Sequence, residues 1–185
     1  WSNGVDTEDV SELPVGVYSV TATDENNCSV SIEVEIIEPT AIEIIETHSN
    51  YTVYGVSCNG EDDGFIDVTV VGGDGNYTYA WSNGATTEDI SELLAGSYNL
   101  IVTDERGCTE SIEVEITETD EMSISETHSN YTGYGVSCNG STDGWIDVTV
   151  TGGTGNYTYL WSNGVDTEDV SELPVGVYSV TATDE

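Results

Sequence analysis

Residues 65–81 read FIDVTVVGGDGNYTYAW. Over the first seven, Ile66, Val68 and Val70 alternate with Phe65, Asp67 and Thr69, so an extended chain carries an apolar stripe on one face. A helix would scatter those residues around its axis; a half-buried strand collects them. GGDGN then supplies turn residues, and Tyr77, Tyr79 and Trp81 share one face of a second strand. A large aromatic at that point is what a β-sandwich places at its centre.

The same alternation recurs on both sides. AIEIIE (41–46), YNLIV (98–102) and SIEVEI (111–116) are strand patterns, the last setting Ile112, Val114 and Ile116 against Glu113 and Glu115. NGEDDG, SNGATTED and DERG separate them as turns. TTEDISELLAG has room for one short helical turn, capped by Thr86 or Thr87. About seven short strands in about 80 residues predict an all-β chain of immunoglobulin-like antiparallel β-sandwich domains. Trp81, Tyr98, Ile66 and Val68 are core candidates, with Leu100, Val114 and Ile116, and Tyr98 stands where a tyrosine pins a sandwich corner. Phe65 and Trp145 occupy the opposite face, as contact candidates for a neighbouring domain or chain or as packing at the edge of the second sheet.

Spacing sets the organisation. WSNG recurs at Trp1, Trp81 and Trp161, THSNY at Thr47 and Thr127, and GVSCNG at Gly55 and Gly135, always 80 residues apart. Copies one period apart are similar, whereas residues 1–25 and 161–185 are identical, so the repeating unit is a pair of dissimilar modules. The chain divides into the C-terminal part of one module (1–40), a complete module (41–120) and the N-terminal part of a third (121–185). Both ends fall within a module, as if cut from a longer tandem array. The junctions IIEPTAIEI and ITETDEMSI leave almost no room for a flexible linker.

One basic residue, Arg106, faces 36 acidic ones, for a net charge of −35. Such acidity repels phosphate backbones and anionic headgroups, which excludes nucleic acid and bare membrane as partners. No run of 18 apolar residues is present, so direct membrane insertion of this segment is not expected. Lysine isopeptide crosslinks are excluded because the chain has no lysine. Four cysteines without CxxC spacing favour disulfides over zinc, and with them an oxidising, extracellular location.

Catalysis finds no convergent set of nucleophile, base and charge stabiliser. His48 and His128 share one position, ETHSN, without a cysteine or basic partner nearby in sequence. No cofactor is required, although calcium takes the kind of oxygen ligands that Asn59, Glu61, Asp62 and Asp63 in one loop and Asp104 and Glu105 in another supply. The equivalent loop NGSTDG keeps only Asn139 and Asp143 of the first set, so a full site in every module is not expected. The NYT triplets at Asn50, Asn76, Asn130 and Asn156 match a glycosylation pattern and equally well begin strands.

Cys58 precedes the second strand of its module and Cys108 opens the last. In an immunoglobulin-like sandwich those strands start at opposite ends, too far apart for a disulfide unless a loop intervenes. Two pairings follow: Cys58 with Cys108 inside the module, the simpler because the module carries both, or each to an adjacent module, which would involve Cys28 and Cys138 as well.

The ordered set CNG at 58–60, DG at 63–64, VTVVGG at 68–73, YTYAWSNG at 77–84, AGSY at 95–98 and VTD followed by GC at 102–108 resembles the SprB repeat of large cell-surface proteins of gliding and other Bacteroidota. It returns as CNGSTDGWIDVTVTGGTGNYTYLWSNG in the third module. The resemblance implies a secreted surface filament or giant adhesin in which sandwich modules form a non-catalytic stalk. Its partners would be neighbouring modules of the same chain and other copies in a filament. The alternative is a calcium-dependent carbohydrate- or surface-binding module.

Overall fold

The computed structural model describes residues 1–184. Among them there are thirteen strands and no helix, and all the strand pairs are antiparallel. β1 (Gly16–Thr23) and β2 (Ser29–Ile36) form a hairpin. In the complete module, β3 (Thr40–His48), β4 (Gly64–Gly73) and β6 (Ile90–Leu93) form one sheet in the order β3-β4-β6. β5 (Thr78–Trp81), β7 (Gly96–Thr103) and β8 (Thr109–Ile116) form another in the order β5-β7-β8. β9 (Ser123–His128), β10 (Gly144–Thr151) and β12 (Val170–Leu173) repeat the first sheet, while β11 (Tyr157–Trp161) pairs with β13 (Val180–Asp184) as β5 does with β7.

The alternating stripes supply the core. Ile42, Ile66, Val68, Ile90 and Leu93 from one sheet join Trp81, Leu100, Val102, Val114 and Ile116 from the other, with Val56, in one buried cluster. Asp67 and Thr69 on β4 and Glu113 and Glu115 on β8 stay exposed. A second cluster gathers Val148, Trp161, Val170 and Leu173. The hairpin β1–β2 provides the control. Its Val34 is 42% exposed, whereas Val114, 80 residues on in the same pattern, is 3% exposed. Alternation places the stripe on one face, and the opposing sheet removes it from water.

Three local expectations change. The complete module has six strands rather than seven. The segment with room for a helical turn is β6, because Glu92 takes a left-handed φ of 58° and Ile90 and Leu93 both turn into the core. The Asp89 carboxylate fixes this strand by accepting the Val68 amide at 2.8 Å. Tyr98 is half-buried against the core rather than inside it, and its hydroxyl donates to the Leu94 carbonyl at 2.9 Å. That bond recurs from Tyr18 to Pro14 and from Tyr178 to Pro174.

Trp81 is buried, and its indole Nε1 donates to the Thr87 carbonyl at 3.0 Å. Trp161 is buried in the same way on Thr167, while Trp1 makes the equivalent bond to Thr7 although only half-buried. The indole therefore closes the following turn as well as filling the core. Phe65 and Trp145 point outward, 43% and 42% exposed.

Trp81→Ala is expected to destabilise the complete module by about 3–5 kcal/mol through the lost burial and the cavity left behind. Phe65→Ala, on the outward face of β4, should cost less than about 1 kcal/mol. Urea unfolding of the two variants checks this, and equal losses would contradict the assignment of faces.

Candidate functional site: the two ends of the module

The polar residues singled out in the sequence fall at opposite ends of β8. At one end, residues 57–63 form a loop locked by its own carboxylate: Asp63 Oδ1 accepts the Ser57 amide at 3.0 Å, and the Glu61 amide donates to the Cys58 carbonyl at 3.2 Å. The loop is tied to the segment leaving β8. Asn59 Nδ2 donates to the Thr119 carbonyl at 2.7 Å, and the Gly60 amide to Glu118 Oε2 at 2.8 Å. Ser57, through its side chain and its amide, holds the Asp63 carboxyl below the usual carboxylate range, as Ser137 does for Asp143.

At the other end lies the β7–β8 turn. Cys108 donates its amide to Asp104 Oδ1 at 2.8 Å, and the Asp104 amide donates to the Cys108 carbonyl at 3.0 Å. Asp24 and Cys28 make the same pair of bonds. Burial opposes the charge on Asp104, but the amides of Cys108 and Arg106, with a further contribution from Asp74, outweigh it and lower its pKa. Its Oδ2 closes no hydrogen bond of ordinary geometry, whereas Asp184 Oδ2, at the equivalent position, accepts the Thr154 amide at 2.7 Å. Arg106 Nε donates to Asp74 Oδ2 at 2.7 Å and braces the turn against the β4–β5 connection.

This arrangement separates the calcium candidates. Asn59, Glu61, Asp62 and Asp63 belong to the first end, Asp104 and Glu105 to the second, with the length of β8 between them. No group of three or more His, Cys, Asp or Glu side chains among the described residues is placed to hold a metal ion. Asp63 and Asp104 work as turn locks, receiving amides.

The cysteines separate likewise. Cys108 immediately precedes β8, while Cys58 sits in the loop tied to Glu118 and Thr119 beyond its far end. Eight residues at about 3.3 Å each set about 25 Å between those ends, against the roughly 7 Å that a disulfide spans between Cα atoms. The fold sets Cys58 and Cys108 at opposite ends of β8 rather than side by side. All four cysteines are exposed, and no two of them are joined to each other.

His48 Nδ1 lies 3.0 Å from Glu46 Oε2 on its own strand, and His128 repeats the contact with Glu126. Burial and the neighbouring Glu88 push the Tyr79 phenol up to about 12, the wrong direction for a base at neutral pH. A cavity of about 470 Å3 in the third module is lined by Gly135, Gly144, Trp161 and Val180. In the complete module the corresponding space is taken by Ile116, packed against Gly55 and Gly64.

Two residues that sequence reading passed over prove structural. Ser49 is buried, donates its hydroxyl to the Gly55 carbonyl and accepts the Phe65 amide, a pattern that Ser129 repeats with Gly135 and Trp145. The recurring THSNY was the available signal.

The family model of the SprB repeat matches residues 50–86 and 136–166. Each match runs from the segment preceding β4 or β10 past the buried tryptophan. No curated protein matches the chain.

The lowered carboxyls stabilise the fold above their unfolded pKa near 4, and that contribution disappears as pH falls through their lower folded values. Asp63→Asn should therefore be less stable than the parent at pH 7, with the gap narrowing below about pH 4. Urea midpoints at pH 7 and pH 2.5 measure it, and a gap unchanged by pH would contradict the turn-lock role.

Proposed function

We propose that this chain is a stalk segment of an extracellular bacterial surface filament or giant adhesin, without catalytic activity. The observation that carries the reading is that one module surface recurs every 80 residues and that two such copies match the SprB repeat, a repeat of surface-adhesin type. Strand orders β3-β4-β6 and β5-β7-β8 around a common core support an immunoglobulin-like sandwich spanning residues 41–120, flanked by partial modules at 1–40 and 121–185. Only three residues separate β2 from β3, which favours neighbouring modules set closely end to end. Neighbouring modules and other copies of the filament are the partners of such a stalk, and a charge of −35 keeps it soluble, extended and away from polyanions.

Strands of eight to ten residues with their turns give a module about 35–40 Å long, so a pair should advance by about 70–80 Å. Small-angle scattering or electron microscopy of a chain with two or more pairs tests the stalk. An advance below half that value would overturn it, as would saturable binding of calcium or a glycan by each module, the behaviour of a binding domain. Extension should be greatest at low salt and relax as salt screens the carboxylates.

A further inference from the structure

The two ends of the module differ in which cysteine they carry, and the path of the chain makes those ends meet. β3 comes in beside the β7–β8 turn: Thr40 pairs with Gly73, and a Cβ on Gly73 would lie 3.0 Å from Asp104 Oδ2. The chain leaves by Thr117–Thr119, where the Cys58 loop is fastened. Each module thus presents its Cys58-type thiol where the chain goes out and its Cys108-type thiol where the chain comes in.

Between the second and third modules the connection can be followed bond by bond. Asn59, next to Cys58, holds the Thr119 carbonyl. The following residue, Asp120, accepts the Gly153 amide at 2.9 Å. A Cβ on Gly153 would lie 2.6 Å from Asp184 Oδ2. Asp184 occupies the position of Asp24 and Asp104, each of which folds a turn onto the cysteine four residues later, Cys28 or Cys108. Were the 160-residue period to continue, a matching cysteine would stand four residues after Asp184.

We propose that Cys58 and Cys138 form disulfides across module junctions, each with the β7–β8-type turn cysteine of the module that follows, so that successive modules are covalently stapled. The inference rests on the extracellular reading for its oxidising environment. Its geometry comes from the length of β8 between the two cysteines of a module and from the run of contacts, Asn59 to Thr119, Asp120 to Gly153 and Gly153 to Asp184, that leads from the outgoing loop toward the next incoming turn. Exposure of the thiols at both ends leaves them accessible to a disulfide oxidant of the thiol–disulfide oxidoreductase class. One cysteine thiolate attacks the oxidant's disulfide to give a mixed disulfide, and the second displaces the oxidant from it. The two thiol protons and two electrons end on the oxidant's thiols.

The dissimilarity of alternate modules makes the pairing readable. Cleavage after glutamate yields peptides 47–61, 106–110, 26–33 and 127–168, each with one cysteine and each different in mass. In the parent protein isolated from the cell surface with thiols blocked, junction staples link 47–61 to 26–33 and 127–168 to 106–110, in chains that run as monomers without reductant. Linkage of 47–61 to 106–110, or linkage only between separate chains, would overturn the proposal. Thiols found free at the surface would count against the oxidising location instead. The same protein is therefore also reduced without denaturant and reoxidised with glutathione disulfide. Recovery of the 47–61 to 26–33 pair upholds the junction geometry whatever the location, and its absence from both preparations refutes it.

Discussion

The seating of β8 is the contact on which the rest of the module depends. Ile116, at its end, is buried so tightly that a Cβ on Gly55 would come within 2.8 Å of its Cγ2 and one on Gly64 within 3.2 Å. Both positions must therefore stay without side chains for the strand to close the core. The third module has the equivalent pair of glycines, Gly135 and Gly144, in the lining of a cavity of about 470 Å3. The hairpin β1–β2 shows the complementary half, a strand of the same pattern whose Ile32 and Val34 remain exposed without an opposing sheet. In the complete module the two sheets bury their stripes against one another in a single core.

Because β8 must reach from the incoming end to the outgoing end to do this, it also fixes the polarity of the module. Gly72 marks the incoming end: its φ is +84°, and any Cβ there would fall 1.9 Å from the Ala41 carbonyl oxygen, so only glycine lets the chain arrive so close. Gly152 does the same against Glu121. The outgoing end is fastened by Asn59 and Gly60 to Thr119 and Glu118. Direction along the chain is thereby built into contacts within each module, and the short junctions carry it onward.

Much of the fold was legible in period-two alternation, since the faces of β4 and β8 follow directly from Ile66, Val68, Val114 and Ile116. Less legible was β6, whose TTEDISEL composition suits a helical turn. There the tertiary bond from Val68 to Asp89 and the burial of Ile90 and Leu93 override local preference. Ser49 was marked only by the recurrence of THSNY, because a buried hydroxyl bridging two backbone segments leaves no alternation or turn pattern of its own. The cysteines lay between these cases. Sequence order raised the objection to pairing within the module, but the loop that might have answered it had to be located, and it proved to be tied at the far end of β8.

The two versions of the Cys58 loop separate the residues that both modules share from those that differ. NGEDDG in one module and NGSTDG in the next differ at Glu61 and Asp62, which become Ser141 and Thr142, while the cysteine, the asparagine, both glycines and the last aspartate are the same. The retained residues include those with geometric duties. Asp63 and Asp143 lock the loop through Ser57 and Ser137, and the residues after Gly60 and Gly140 donate their amides to the Cys58 and Cys138 carbonyls. At the two exchanged positions the carboxylates of Glu61 and Asp62 are not among the bonds that close the loop, whereas Ser141 Oγ lies 3.4 Å from Ser137 Oγ, so the turn forms with or without those two charges. A calcium site would instead hold its carboxylates at fixed positions, and two of them are exchanged here. A loop that keeps its shape and its thiol in both versions fits the junction disulfide proposed above.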